Sequence, residues 1–220
     1  MQKQIYTLVV DFSIRRDLAY LSHQETLKMF QRALIRASAP LVFSMGFNPH
    51  PHLSIPFPRS VGTQSLGDRV YATVEFSEDF LAQNWRVRIQ QQLPAECSVL
   101  EVESIPGKCM FYPQGVRYVF RLKSPFDEEL QGHLKGCWKQ VDEKSPVEIQ
   151  RYWAKKRRYK QFDLSPYLEA LDFSNDQIEV VCGVSQSGTV RVDELTQWLD
   201  ITSEQFSEPV CRTEMKWRQN

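Results

Sequence analysis

The chain has 220 residues, 42% of them hydrophobic and 12% aromatic, which is enough to bury a core and excludes wholesale disorder. Its 27 Lys and Arg residues balance its 27 Asp and Glu residues. Proteins that grip nucleic acid over their whole surface are basic, so this class is excluded. Any nucleic-acid binding is therefore expected from a local patch.

Cysteine usage and the short apolar runs predict a cytoplasmic protein. The five cysteines are odd in number and none forms a CxxC pair, which argues against a disulfide framework, a zinc knuckle and a cysteine-ligated cluster. The apolar run that ends at Val10 is too short and too polar for a signal peptide, and no later run approaches a membrane span. We therefore expect reduced thiols, no cofactor and no membrane contact.

The first half of the chain alternates strand and helix patterns. A β-rich run at 4–12 predicts a strand, and Ser22 with Glu25 has the spacing of a capping box that opens a helix ending before Pro40. Periodicity then predicts short strands at 41–44 and 52–57, a strand at 69–76, a helix at 78–92 and a strand at 98–105. The order βαββαβ is the ferredoxin-like pattern, which we assign to a module over residues 1–107.

The second half repeats this alternation after a predicted linker, which is bracketed by Pro106-Gly107 and Pro113-Gln114-Gly115. The patterns predict strands at 116–123, 147–153, 178–184 and 210–217, and helices at 126–140, 165–171 and 192–199. We assign a second ferredoxin-like module to residues 115–220, although no residue-level repeat links the halves. The predicted fold class is therefore α+β, with two tandem ferredoxin-like modules and antiparallel sheets.

The segment from Ser44 to His52 has the highest density of chemically useful side chains. Gly46 and Asn48-Pro49 favour a turn that can present the histidines outward. Neutral histidine can act as an acid, a base or a metal ligand near pH 7. His50, together with His23 at the start of the first helix, is a candidate catalytic residue. The simpler interpretation is a turn that carries two solvated histidines.

A metal site is a more specific hypothesis for the same histidines. His50 and His52 lie two residues apart, so a strand would place both rings on one face, and His23 could supply a third ligand. The spacing recruits no carboxylate or cysteine to this set, so a metal-free site is the main expectation. The sequence also contains no GxxxxGK[ST] loop, no GxGxxG after a strand, no HExxH motif and no CxxxCxxC signature.

A basic-aromatic window covers residues 151–160. Cations contact phosphates and aromatic rings stack on bases, so this mixture suits single-stranded RNA or DNA. The alternative is a solvated hairpin with a cationic tip. A stripe of Lys28, Arg32 and Arg36 on the first helix either extends this basic-aromatic patch or is the solvent-exposed face of that helix. The window contains Arg151, Tyr152, Trp153, Lys155, Lys156, Arg157, Arg158, Tyr159 and Lys160.

Three blocks of the first half are distinctive: Leu21-Ser22-His23, Arg32-Ala33-Leu34-Ile35-Arg36-Ala37 and Ser44-Met45-Gly46-Phe47-Asn48-Pro49-His50-Pro51. With residues 156–171 and 187–195, they closely resemble the radical SAM-linked, or radical SAM-associated, protein family, also catalogued as the domain of unknown function DUF2344. The match departs from the family in two places. Glu25 only loosely matches its acidic residue after the serine-histidine pair, and Asp68 stands where it tends to carry glutamate.

The resemblance implies a partner rather than a reaction. Members are encoded beside, or fused to, a radical SAM protein with a possible cobalamin-binding region, and the family carries no established activity. It also implies one binding site, to which the helix stripe adds Arg32 and Arg36. The residues that the resemblance groups in this site are Ser22, His23, Ser44, Gly46, Phe47, Asn48 and His50.

Three functions remain open, and whether the protein is an enzyme is one of the questions. It could be an accessory protein that delivers an RNA or protein substrate to a radical SAM enzyme. It could be a metal-independent RNA-processing endonuclease, in which His23 or His50 is the general base on a 2′-OH, because its layout resembles that of CRISPR repeat-processing endonucleases. In the third hypothesis the motif only docks a neighbouring enzyme, with Phe47 as a hydrophobic anchor.

Overall fold

The computed structural model describes residues 4–76, 84–153, 156–185 and 188–219. The protein is α+β, with mostly antiparallel strands and, within these residues, four α-helices. The chain divides into two compact units. Unit 1 contains residues 1–113 and 217–220, and unit 2 contains residues 114–216.

The sheet of unit 1 has four strands in the order β4-β1-β3-β2. The neighbouring strands in this order pair antiparallel, for example through Val10 with Val70 and Leu53 with Ala72. The elements of unit 1 are β1 (Gln4–Ile14), α1 (His23–Arg36), β2 (Leu53–Ser54), β3 (Thr63–Phe76), α2 (Trp85–Gln90) and β4 (Cys97–Pro106).

The core of unit 1 joins one face of the sheet to α1 and α2. Alternate residues of β1 are fully buried and meet the apolar stripe of α1, so that the rings of Phe12 and Phe30 lie 4.4 Å apart. The predicted helix is confirmed from its first residue, because Ser22 and Glu25 form the expected capping box. Of the predicted helix at 78–92, the structure has Trp85–Gln90, and residues 77–83 lie outside the described residues.

Unit 2 has a sheet in the order β10-β5-β9-β8 and a separate two-stranded sheet made by β6 and β7. Strand β9 pairs antiparallel with both β5 and β8. The first residues of β5 and the last residues of β10 belong to unit 1. The elements are β5 (Phe111–Arg121), α3 (Glu128–Asp142), β6 (Glu148–Trp153), β7 (Arg158–Asp163), β8 (Leu168–Ser174), β9 (Gln177–Gly183), α4 (Val192–Leu199) and β10 (Val210–Gln219).

Three local predictions were wrong or incomplete. The helix predicted at 165–171 is a single 3₁₀ turn at Ser165–Tyr167 followed by β8, because pairing with β9 buries Leu168 and Leu171 and outweighs the local helical spacing. The predicted linker at 106–115 is shorter, since β5 already begins at Phe111. The predicted strand at 41–44 forms only isolated bridges at Leu41 and Phe43.

All five cysteines lie within the described residues, and none is joined in a disulfide. Burial raises the pKa of the thiols of Cys97 and Cys182 to about 12, so both are poorly reactive near neutral pH. Within the part of the chain that the structure describes, no helix is both long and apolar enough to cross a membrane.

Candidate functional site

The predicted motif forms a short closed loop, residues 44–50, which we call the 44–50 loop. The Ser44 N–H donates to the His50 carbonyl oxygen at 2.8 Å, and the His50 N–H donates to Ser44 Oγ at 3.0 Å. A bridge between Phe43 and Pro51 lies at the base of the loop, and Gly46 has a φ of +127° that favours glycine. Ser44 and Gly46 therefore shape the loop.

The side chains of this loop point into solvent. Met45 is 98% exposed and Phe47 is 107% exposed, and Asn48 and His50 are also exposed. Phe47 is thus not a core residue. The loop presents two large apolar side chains that the fold itself does not use.

A groove of about 520 Å³ runs between α1 and this loop. It brings together two predicted site residues, Arg32 and His50, and adds Lys28 from the preceding turn of α1. The groove is also lined by Gln24, Leu27, Gln31, Pro51 and Leu53.

The last cation of the helix stripe has another contact. Arg36 Nε donates to Gln92 Oε1 at 3.2 Å, and Arg36 Nη2 donates to the Gln92 carbonyl oxygen at 2.5 Å. These bonds tie the end of α1 to the segment after α2. The guanidinium of Arg36 is therefore used within unit 1, and this residue does not line the groove.

Ser22 caps α1 together with Glu25. The Ser22 N–H and hydroxyl both donate to Glu25 Oε2, at 2.8 and 2.6 Å, and the Glu25 N–H donates to Ser22 Oγ at 3.3 Å. The bonds from Ser22 lower the pKa of the Glu25 carboxyl. Ser22 of the first family-like block and Glu25 after it thus act as a helix cap.

His23 lines a small cavity beside a buried ion pair. Arg59 Nη1 lies 3.1 Å from Asp68 Oδ2, and both side chains are almost fully buried. The Ser65 hydroxyl also donates to Asp68, and Arg59 Nη2 donates to the Leu18 carbonyl oxygen at 3.3 Å. The cavity of about 10 Å³ is lined by Leu21, His23, Thr26, Ile55, Arg59 and Asp68.

The surroundings of His23 in this cavity favour its neutral imidazole. Burial is the largest cause and the positive charge of Arg59 is the second, and both lower the pKa of His23. No local sequence pattern points to Arg59, apart from the need of a buried Asp68 for a counter-charge. A neutral imidazole can accept a proton or a hydrogen bond, which is the chemistry expected of a base.

The three candidate histidines line three different cavities of unit 1. His23 lies beside Arg59 and Asp68, His50 lines the groove, and His52 lines a pocket of about 320 Å³ with Tyr71, Lys108 and Cys109. Among the described residues, no three His, Cys, Asp or Glu side chains are grouped so that they could hold a metal ion. The predicted set of His23, His50 and His52 is therefore not gathered at one point.

In unit 2, most of the basic-aromatic window forms the β6–β7 hairpin. Tyr152 pairs with Tyr159, and their rings lie 5.2 Å apart. Lys156 Nζ and Lys160 Nζ lie 4.9 and 5.8 Å from the centre of the Trp153 ring. All three rings are exposed, as are Lys156, Arg157, Arg158 and Lys160, while Lys155 lies outside the described residues.

Arg151 differs from the rest of the window because its charge is used inside unit 2. Its Nε and Nη2 both donate to the buried carboxylate of Glu194 on α4, with Nη2 at 2.7 Å from Oε2. Nη2 also donates to the Thr189 carbonyl oxygen at 2.9 Å, and the guanidinium stacks 3.3 Å from the centre of the Phe162 ring. Arg151 therefore attaches the hairpin to α4.

The protein is thus of a definite class, an α+β protein with a cationic, aromatic hairpin in one unit and a closed, apolar-tipped loop beside a cationic groove in the other. A comparison with family models matches residues 7–192 to DUF2344, described as an uncharacterised protein conserved in bacteria. Because this match covers most of the chain, the protein belongs to the DUF2344 family. A comparison with curated proteins found no match.

Proposed function

We propose that this protein is an accessory protein that binds single-stranded RNA through the β6–β7 hairpin and presents it to a separate enzyme. One observation carries the proposal. The hairpin exposes three aromatic rings next to four exposed cations, and it forms a two-stranded sheet separate from the larger sheet of unit 2. The rings are Tyr152, Trp153 and Tyr159, and the cations are Lys156, Arg157, Arg158 and Lys160.

The pairing register supports a stacking role. Directly paired residues of antiparallel strands share a face, so Tyr152 and Tyr159 lie on one face of the hairpin, and Arg151, Trp153, Arg158 and Lys160 lie on the other. A base stacked on an exposed ring gains about 1–3 kcal/mol, and nearby cations contact the phosphates. The face that carries the exposed rings of Tyr152 and Tyr159 can thus take a nucleotide.

The fold proposal is that each unit is a ferredoxin-like module. The strand orders β4-β1-β3-β2 and β10-β5-β9-β8 support it, because each places the first strand of its unit beside the last strand and the third strand of its sheet. In unit 2 the β6–β7 hairpin is then an insertion between α3 and β8. An insertion of this kind is a common position for a binding element.

The enzyme partner is proposed on the family resemblance alone. It is a radical SAM protein, which would supply the redox chemistry that this chain's own motifs do not encode. The cytoplasm is the proposed compartment, because an odd number of cysteines without a CxxC pair is typical of a reducing environment.

RNA titration tests the proposal. Fluorescence anisotropy with a labelled 12-nucleotide RNA should show binding, and the double change Tyr152→Ala and Tyr159→Ala should weaken it by at least about tenfold, since two stacking platforms are lost. Tyr20→Ala is the matched control, because Tyr20 is 60% exposed and lies outside the hairpin, whereas Tyr159 is 68% exposed. Absent binding at low salt, or equal weakening in the control, would overturn the proposal.

A metal-independent endonuclease is the second candidate, because His50 shares a groove with Lys28 and Arg32. His50 would accept the proton of a 2′-OH, and the two cations would stabilise the charged phosphate. The same RNA, incubated with the protein and EDTA, distinguishes the two functions. Cleavage by the wild type that is lost in His50→Ala would favour the nuclease. RNA that stays intact would favour binding without cleavage.

A further inference from the structure

We propose that the groove along α1 and the 44–50 loop together form a docking surface for a partner protein, which presents a short acidic segment with large apolar side chains. The surface belongs to unit 1 and does not include the hairpin. The proposal therefore goes beyond RNA binding and stands or falls independently of it.

The first observation is the pair of apolar side chains on the loop. Met45 and Phe47 are 98% and 107% exposed, and neither belongs to the core cluster of unit 1. Phe43, at the base of the loop, is also exposed. Aromatic side chains and methionine are enriched at the centres of protein interfaces, where they fill pockets of the partner. The loop thus offers a pair of hydrophobic anchors.

The second observation is the shape of the loop, which is fixed before binding. Two hydrogen bonds join Ser44 to His50, and the Val42 N–H and the Thr73 N–H donate to the Thr73 and His52 carbonyl oxygens, at 2.9 and 3.0 Å. The base of the loop is therefore bonded to β3. A preorganised loop loses less conformational entropy on binding, which favours a recognition role over a passive turn.

The third observation is the charge of the groove. Its lining contains Lys28, Arg32 and His50, and no carboxylate of the described residues lines it. Within the described residues, neither Lys28 nor Arg32 is in a salt bridge. Charge complementarity across an interface selects the partner and speeds its association, so an acidic segment fits this groove.

The lining also favours a peptide over a nucleic acid. The groove has an aliphatic part, made by Leu27, Pro51 and Leu53, and among the described residues that line it no Phe, Tyr or Trp offers a stacking platform beside the imidazole of His50. The amides of Gln24 and Gln31 can donate to and accept from a peptide backbone. An acidic segment with leucine, phenylalanine or methionine side chains would use the cationic, amide and aliphatic parts together.

Selection from a phage-displayed library of random 12-residue peptides tests the proposal with the 220-residue chain as bait. Enriched peptides should combine Asp or Glu with large apolar residues. Their affinity should fall at least tenfold for the double variant Lys28→Glu and Arg32→Glu, and for Phe47→Ala. The double variant Lys135→Glu and Lys139→Glu is the matched control, because it changes the charge equally on the exposed face of α3 and should bind as the wild type does.

Each other outcome contradicts the docking surface. No enrichment, enriched peptides without acidic residues, or equal binding to the Lys28 and Arg32 variant would overturn it. If the Lys28 and Arg32 double variant no longer bound the labelled RNA while its peptide binding was unchanged, the groove would be assigned to nucleic-acid binding. Phe47→Ala should keep the wild-type unfolding midpoint because its ring is fully exposed, so a loss of peptide affinity cannot be attributed to unfolding. The RNA test depends on Tyr152 and Tyr159, so the two proposals fail separately.

Discussion

Ser22 and His23 are neighbours in the chain and have different tasks. Ser22 bonds to Glu25 and begins α1, whereas the ring of His23 lies beside the buried pair of Arg59 and Asp68. The cap could be predicted because its two residues are three positions apart. The surroundings of His23 could not, since Arg59 is 36 positions away and no local pattern points to it.

The lowered pKa of His23 predicts how the stability of the protein depends on pH. Above the ordinary histidine pKa of about 6.5, the imidazole is neutral in the folded and the unfolded state. As the pH falls below 6.5, the unfolded chain takes up a proton that the folded site resists, so the free energy of unfolding decreases until the pH passes the lowered folded-state pKa.

Urea denaturation at pH 7.5 and pH 5.5 measures this effect. His23→Gln should lose less stability between the two pH values than the wild type, because the titrating group is gone. Gln24→Ala is the control, because Gln24 is exposed and has no titratable group, so this variant should keep the wild-type difference. Identical pH dependence in the wild type and His23→Gln would show that the site does not resist protonation.

At the scale of elements, the hairpin and α4 share one carboxylate. Glu194 accepts from Arg151 of β6 and also from the Arg191 N–H at the start of α4, at 2.8 Å. The carboxylate is almost fully buried, and the guanidinium is mostly buried. In the RNA-binding proposal, Arg151 is therefore a positioning residue of the hairpin, and the outer cations are the proposed contact residues.

Removal of Arg151 should therefore affect stability far more than removal of an outer cation. Arg151→Ala leaves Glu194 buried without this partner, and we expect the free energy of unfolding to fall by about 3 kcal/mol. Lys160→Ala, on the same strand pair, should change it by less than about 0.5 kcal/mol because Lys160 is exposed. Equal unfolding midpoints for the two variants in urea would refute the attachment.

The incorrect prediction of a helix at 165–171 is also explained by how elements pair. The spacing of Leu164, Leu168 and Leu171 fits a helix, and the same residues fit a strand with a bulge. Pro166 is tolerated in the single 3₁₀ turn, after which the chain pairs with β9. Short apolar runs of this kind are ambiguous, and here a strand from later in the chain decides between the two structures.

At the scale of the whole molecule, zero net charge limits how the protein can hold RNA. The described part of the hairpin has four outer cations, Lys156, Arg157, Arg158 and Lys160. Each phosphate contact to a single strand contributes about −0.7 to the slope of log K against log salt. Binding confined to these cations should therefore give a slope of about −3 or shallower.

Anisotropy titrations between 50 and 200 mM salt measure this slope. Lys160→Ala should make it shallower by about 0.7, whereas Lys139→Ala, on α3, should leave it unchanged. A wild-type slope steeper than about −5 would mean that a larger basic surface takes part, contrary to the hairpin proposal.

The sequence by itself determined the α+β class, the capped first helix, most strands of both halves, the turn at Gly46 and the basic-aromatic window, because periodicity, caps and turn residues act within a few positions. Only the tertiary structure decided which side chains meet. It paired Arg59 with Asp68, placed Arg151 on Glu194 across 43 positions, distributed the three histidines over three cavities, and left Phe47 in solvent. Such contacts depend on which elements pack together, and no local pattern in the chain encodes that choice.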